Sequence, residues 1–183
     1  MFDTLSYIGE RLNNRDITWA VGGSILLNQY GLIDKPNDID IFVHIKDIEK
    51  ADEVLRSLGI KKKWEFNNTY VTKYFYEYEI NGVDVDVMAG LAINFNGGLF
   101  QFDFDEDSIS EFKIINGVKI PFTSLEDWYV IYQLIPNRQV KVKIIEDYLR
   151  NHGIKNPFLL RRILHKELPY EIRDMIENIL KSC

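Results

Sequence analysis

Three short stretches carry the residues that could do chemistry. In "NDIDIFV", Asp38 and Asp40 alternate with Ile39 and Ile41. Alternate side chains on a β-strand share a face, so the two carboxylates point one way and the isoleucines the other. Carboxylates held side by side repel, and burial raises the cost. A hard divalent cation, Mg²⁺ or Mn²⁺, is the simple remedy. Upstream, "WAVGGS" ends a short apolar run with Gly22, Gly23 and Ser24. Glycine lets backbone approach a phosphate closely, and free N–H groups at a helix start favour an anion. The Ser24 hydroxyl can cap that helix or donate to a phosphate oxygen. In "VDVDVMAG", Asp84 and Asp86 share a second strand face. A third acid beside the first two could hold two cations about 4 Å apart, as in-line phosphoryl transfer uses. It could also take the proton of an attacking hydroxyl. Periodicity does not choose between Asp84 and Asp86.

These residues need elements to position them. Apolar spacing at Leu5, Ile8 and Leu12 predicts a helix over 3–13, and "ITWAV" predicts a strand over 17–21. Ser24 opens a short helix closed by Gly31, "DIDIFVHI" (38–45) reads as a strand, and 46–59 as an amphipathic helix. Two β-rich runs, 70–80 and 83–90, flank Asn81-Gly82, a strong hairpin signal because both residues tolerate positive φ. A second such hairpin is expected around Asn116-Gly117, whereas 91–111, with alternating Phe100, Phe102 and Phe104, reads as a further strand or an ordered loop. From Thr123 the pattern becomes helical in four segments, with breaks carrying Pro136, Gly153, Pro157 and Pro169. The expectation is therefore an α+β fold: residues 1–121 as an α/β domain and 122–183 as a helical region packed on it.

The bulk numbers narrow the class. With 46% apolar residues in 183, a real core is available and global disorder is excluded. A net charge of −6 argues against general coating of nucleic acid, though not against a local basic groove. The single cysteine, Cys183, cannot form an intramolecular disulfide. With no signal-peptide pattern and no run long enough to span a membrane, a cytoplasmic location is expected.

The combination of "VGGS", a short helix, "NDIDIFV" and "VDVDVMAG" resembles the DNA polymerase β-like nucleotidyltransferase superfamily. It is most similar to small bacterial stand-alone members near the aminoglycoside and lincosamide nucleotidyltransferases. The resemblance covers roughly 17–150, including "NGVKIPFTSLEDW" and "NRQVKVKIIEDYL". It implies a mixed β-sheet flanked by helices, with a C-terminal helical tail. It also implies metal-dependent transfer of a nucleoside monophosphate from a triphosphate, expected to be ATP, to an acceptor hydroxyl on a small molecule, protein or RNA. In these relatives the third acid sits in a segment like "VDVMAG", which favours Asp86. The resemblance thus assigns Asp38, Asp40 and Asp86 as metal ligands and catalytic residues, and Gly22, Gly23 and Ser24 to the nucleotide. Many relatives carry an arginine just before the first acid; here "KPND" offers Lys35 as the nearby base, assigned with the turn to nucleotide binding. The basic pattern of the tail is represented by Arg138, Lys141 and Lys143.

Plainer readings apply elsewhere. "DFDED" lacks the glycine and glutamate of a calcium loop and reads as an acidic loop. His44, His152 and His165 have no metal spacing. Trp19, Trp64 and Trp128 read as core or semi-buried residues, and Arg161 and Arg162 as a solvated helix face. The run "YFYEY" fits either base stacking or one sheet face packed on a helix. The competing function is a nucleotide-binding or protein-interaction module with a decayed site, motivated by the missing arginine. A glycosyltransferase using its DxD motif is disfavoured, because those usually place a larger domain before it.

Overall fold

The structure, a computed structural model, describes residues 1–63 and 71–181; Trp64, Tyr70 and Cys183 lie outside them. Among the described residues a seven-stranded mixed sheet runs β3-β4-β5-β2-β1-β9-β8. Its strands are β1 (Trp19–Val21), β2 (Ile39–Val43), β3 (Ile60–Lys61), β4 (Tyr74–Ile80), β5 (Val83–Ala89), β8 (Ile109–Ile115) and β9 (Val118–Thr123). The β2–β5 and β1–β9 pairs are parallel and the other pairs antiparallel. Two further strands, β6 (Leu91–Phe95) and β7 (Gly98–Phe102), form a separate hairpin. The stretch left open as strand or loop therefore contains a hairpin around Asn96-Gly97, with Gly97 at φ 101°.

Local chemistry accounts for the strand connections. Asn81 and Gly82 adopt φ of 53° and 71°, and Asn116 and Gly117 φ of 50° and 81°. These are the left-handed values a two-residue hairpin turn needs, and Asn-Gly reaches them with little strain. The pleat then sorts the side chains. Ile39, Ile41, Val85 and Val87 are fully buried on one face of β2 and β5. On β4 the tyrosines turn to that face: Tyr78 donates to Asp52 of helix α3 (Ile48–Leu58), and Lys61 lies over the Tyr76 ring at 3.2 Å. Phe75 and Glu77 turn the other way, into a cavity. Packing on a helix thus explains the tyrosines of "YFYEY".

Helix α1 (Phe2–Asn13) packs against β9 and α3, and the short α2 (Gly23–Gln29) against β2. The helical region contributes α4 (Leu125–Leu134), α5 (Gln139–His152), α6 (Pro157–Leu164) and α7 (Tyr170–Lys181). Helix α4 is the hinge of the packing: nearly all its side chains are buried, and Ser124 caps it by accepting from the Asp127 N–H at 3.0 Å. One apolar cluster joins the sheet to α4, α5, α6 and α7.

One expectation is corrected here. Arg161 is exposed, but Arg162 does not sit on a solvated face. Its Nη1 donates to both carboxylate oxygens of Asp105 at 2.9 Å and its Nη2 to Ser108 Oγ at 2.8 Å. With Lys166 paired to Asp103, this fastens the acidic loop to α6. Phe100, Phe102 and Phe104 are buried, the last two against Phe42. No helix among the described residues is long and apolar enough to cross a membrane.

Candidate active site

Asp40 on β2 and Asp86 on β5 are register partners on adjacent parallel strands, and Asp38 lies just before β2. One carboxylate oxygen from each of the three lies within 4.8 Å of the others. Asp84 is outside this set: its side chain is 64% exposed and ion-paired with Lys62. The triad is electrostatically strained. Burial, then the charges of Asp38 and Asp86, push the Asp40 carboxyl up to about 8. Burial, then Asp38, Glu77 and Asp84, push Asp86 up to about 7. Three clustered hard oxygen donors, two of them (Asp40 and Asp86) resisting ionisation, suit a divalent cation.

The glycine turn lies directly against these acids. The Gly22 N–H donates to the Asp40 carbonyl at 2.9 Å, and a Cβ on Gly22 would fall 2.2 Å from Trp128 Nε1. Gly23 adopts φ 56°, and a Cβ there would lie 1.7 Å from Asp40 Oδ2. Ser24 does not cap α2, whose N-cap is Gly22. Its hydroxyl accepts from the Asn37 N–H at 3.1 Å and faces Asp38, with Oδ1 at 3.1 Å and the carbonyl at 3.3 Å. Lys35 is exposed on the loop before β2 and does not line the acid cavity.

That cavity measures about 510 Å³. The acids line it together with Arg138 and Lys141, from the start of the tail. Lys141 is half-buried, its Nζ is 3.3 Å from Tyr132 Oη, and burial followed by the nearby Arg138 lowers its pKa. Lys143 instead points outward and pairs with Asp147. Phe42, Phe75, Trp128 and Tyr132 supply aromatic surface. A smaller opening of about 180 Å³ shares Asp38, Glu77 and Asp86 and adds Lys62 and Asp84.

The sequence reading missed Glu77. It is the cross-strand partner of Asp86, so Glu77, Asp86 and Asp40 form a row across three neighbouring strands. The signal was present: the Asn81-Gly82 turn fixes the register, and Glu77 is the mirror position of Asp86. The aromatic walls gave no such signal, because they come from elements distant in sequence.

An acid triad at the central strands of a mixed sheet thus lies beside a Gly-Gly-Ser turn, and helices of the C-terminal region line the same cavity. Residues 1–167 match the model for nucleotidyl transferases of unknown function (DUF2204), and the chain belongs to this family. No curated protein matches the sequence. Among solved structures, a putative nucleotidyltransferase from Thermotoga maritima is similar, with 24% identity, TM-score 0.60, and 82% of this chain and 92% of that one covered. So is ANT(2″)-Ia, solved in complex with adenylyl-2″-tobramycin, with 13% identity, TM-score 0.59 and 97% of each chain covered. The lincomycin-bound lincosamide antibiotic adenylyltransferase LnuA follows, with 18% identity, TM-score 0.50, and 79% of this chain and 95% of that one covered. These likenesses are of fold, and they agree with the architecture expected from the sequence.

Proposed function

We propose that the protein transfers a nucleoside monophosphate from a nucleoside triphosphate, with ATP the expected donor, to an acceptor hydroxyl and releases pyrophosphate. The observation that carries this reading is a single cavity lined by three clustered carboxylates and by Arg138 and Lys141. Asp38, Asp40 and Asp86 would hold Mg²⁺ or Mn²⁺, which when bound supplies charge neutralisation at the phosphates and acidifies the attacking hydroxyl. Arg138 and Lys141 bind the polyphosphate, the guanidinium by paired hydrogen bonds and the ammonium as a point charge. They provide cationic charge that the "KPND" segment, with Lys35 turned to solvent, does not bring to the cavity. The aromatic surface around Trp128 and Tyr132 shields the reacting phosphate from water. Asp86 lines both openings, so it can meet an acceptor arriving by the smaller one and take its hydroxyl proton.

Relatives of this fold include an enzyme solved with adenylyl-tobramycin and one bound to lincomycin. They support a hydroxyl-bearing small molecule as one acceptor to test, alongside proteins and RNA ends. The experiment combines calorimetric titration of ATP with Mg²⁺ and a pyrophosphate-release assay over an acceptor panel. Turnover that disappears in Asp38→Asn and Asp40→Asn supports the reading. Tight binding with no turnover for any acceptor would favour the decayed module.

A further inference from the structure

The Gly-Gly-Ser turn has the form of a phosphate cradle, yet its serine hydroxyl is already engaged with an acid. The Ser24 side chain is almost fully buried, at 1% exposure. Its oxygen accepts from the Asn37 N–H, which leaves its one proton to donate to Asp38. The Gly22 N–H donates to the Asp40 carbonyl. The turn therefore engages both residues of the DxD pair, Asp38 through the Ser24 hydroxyl and the Asp40 main chain through Gly22.

Asp38 needs such a partner. It precedes the strand, so the sheet ladder does not fix its backbone as it fixes Asp40 and Asp86. An aspartate free to rotate would spend part of its time turned from its neighbours, the more so because they repel it. A hydroxyl anchored by Asn37 holds the carboxylate in the cluster. Gly23 supplies the matching vacancy, since any side chain there would occupy the position of the Asp40 carboxylate.

From this we infer that Ser24 is a positioning residue for Asp38, its hydroxyl serving to assemble the cation site. The inference rests on the reading that the three acids hold a divalent cation. A partner that fixes a ligating carboxylate typically changes metal affinity by about 10- to 100-fold when removed.

The test measures two affinities separately: Mn²⁺ alone, by electron paramagnetic resonance, and ATP in EDTA, by calorimetry. For Ser24→Ala the expected result is Mn²⁺ binding weakened about tenfold or more, with metal-free ATP binding within about twofold of wild type. For Arg138→Ala the pattern reverses. Ser24→Ala combined with Asp38→Asn should bind Mn²⁺ no more weakly than Asp38→Asn alone, because the hydroxyl acts through that carboxylate. Ser24→Cys fills the buried position should alanine cost the fold, and it carries the same expected loss of Mn²⁺ affinity. Unchanged Mn²⁺ affinity in the Ser24 variants with weakened ATP binding would overturn the inference and return the hydroxyl to the phosphate. A wild-type protein that binds no Mn²⁺ would overturn the cation reading itself, and this inference with it.

Discussion

Replacing Asp40 by Asn should stabilise the metal-free protein while abolishing transfer. The carboxyl is held in its protonated form by burial and by Asp38 and Asp86, which lift its pKa to about 8, whereas in the unfolded chain it returns to the usual carboxylate range. A folded pKa above the unfolded one means that the folded state binds the extra proton. The associated stability is present in full at low pH and is lost as pH rises through about 8. Asparagine mimics the neutral acid at every pH. At 1.36 kcal/mol per pK unit, the rise corresponds to at most about 6 kcal/mol. Water in the open cavity, relaxation, and the attraction of Lys141 reduce this to about 2 kcal/mol. For a chain of this size that is about 4–8 °C in melting temperature above pH 8, and about half as much at pH 6. The assay is thermal unfolding of both proteins in EDTA at pH 6 and 8.5, repeated with excess Mg²⁺. The wild type should gain more from Mg²⁺ at the higher pH, and the variant little at either. An Asp40→Asn protein less stable than wild type at both pH values in EDTA would refute the claim that the triad is strained.

Three further outcomes follow from the geometry. Asp86→Asn should leave the fold intact and lower pyrophosphate release by roughly a hundredfold or more, the scale of a lost general base; Asp84→Asn, which only frees Lys62 at the surface, should cost far less, and the reverse order would show that the wrong acid has been assigned. Lys141→Met keeps the aliphatic stem and removes the charge, so calorimetry should show ATP binding about tenfold weaker, with Mn²⁺ binding no weaker than wild type. Gly23→Ala places a methyl on Asp40 and an L-residue at φ 56°; unfolding should show a loss of about 1–3 kcal/mol, and Mn²⁺ affinity should fall with it.

Much of this was legible in the sequence, for reasons that differ by element. The period-two alternation of "DIDIF" and "VDVDV" sorts acids from aliphatics without knowledge of the fold, and Asn-Gly marks its turns through backbone sterics alone. Residues 91–111 are less legible: Asn96-Gly97 marks a turn, but the aromatic alternation runs on to Phe104, past the end of β7 at Phe102, and so does not mark the hairpin's limits. The glycine turn was recognised, but not what it faces. That Gly22 abuts Trp128, and Gly23 the Asp40 carboxylate, depends on how α4 and β2 dock, which no local pattern encodes. Arg162 was misread for a related reason: on a helix its spacing looks solvated, and only the acidic loop folded beside it supplies a partner. Arg138 and Lys141 lie about a hundred residues downstream of Asp38 and Asp40, with which they line one cavity.

The row of carboxylates across β4, β5 and β2 bears on how the chain finds its fold. A one-residue slip of β2 against β5 would exchange the faces of the strand. Asp40 would turn into the layer now filled by Ile39, Ile41, Val85 and Val87, and the isoleucines would turn into the open cavity. Sinking an unpaired carboxylate among aliphatic side chains costs several kcal/mol, so the slipped pairing is rejected as the sheet closes. The same acids that invite a cation in the finished molecule thus act earlier as a proofreader of strand alignment, in a parallel pairing whose partners are far apart in the chain. Neutralising several of them at once would remove that check. Such variants should refold with a larger misaligned, aggregation-prone fraction even where their native state is more stable.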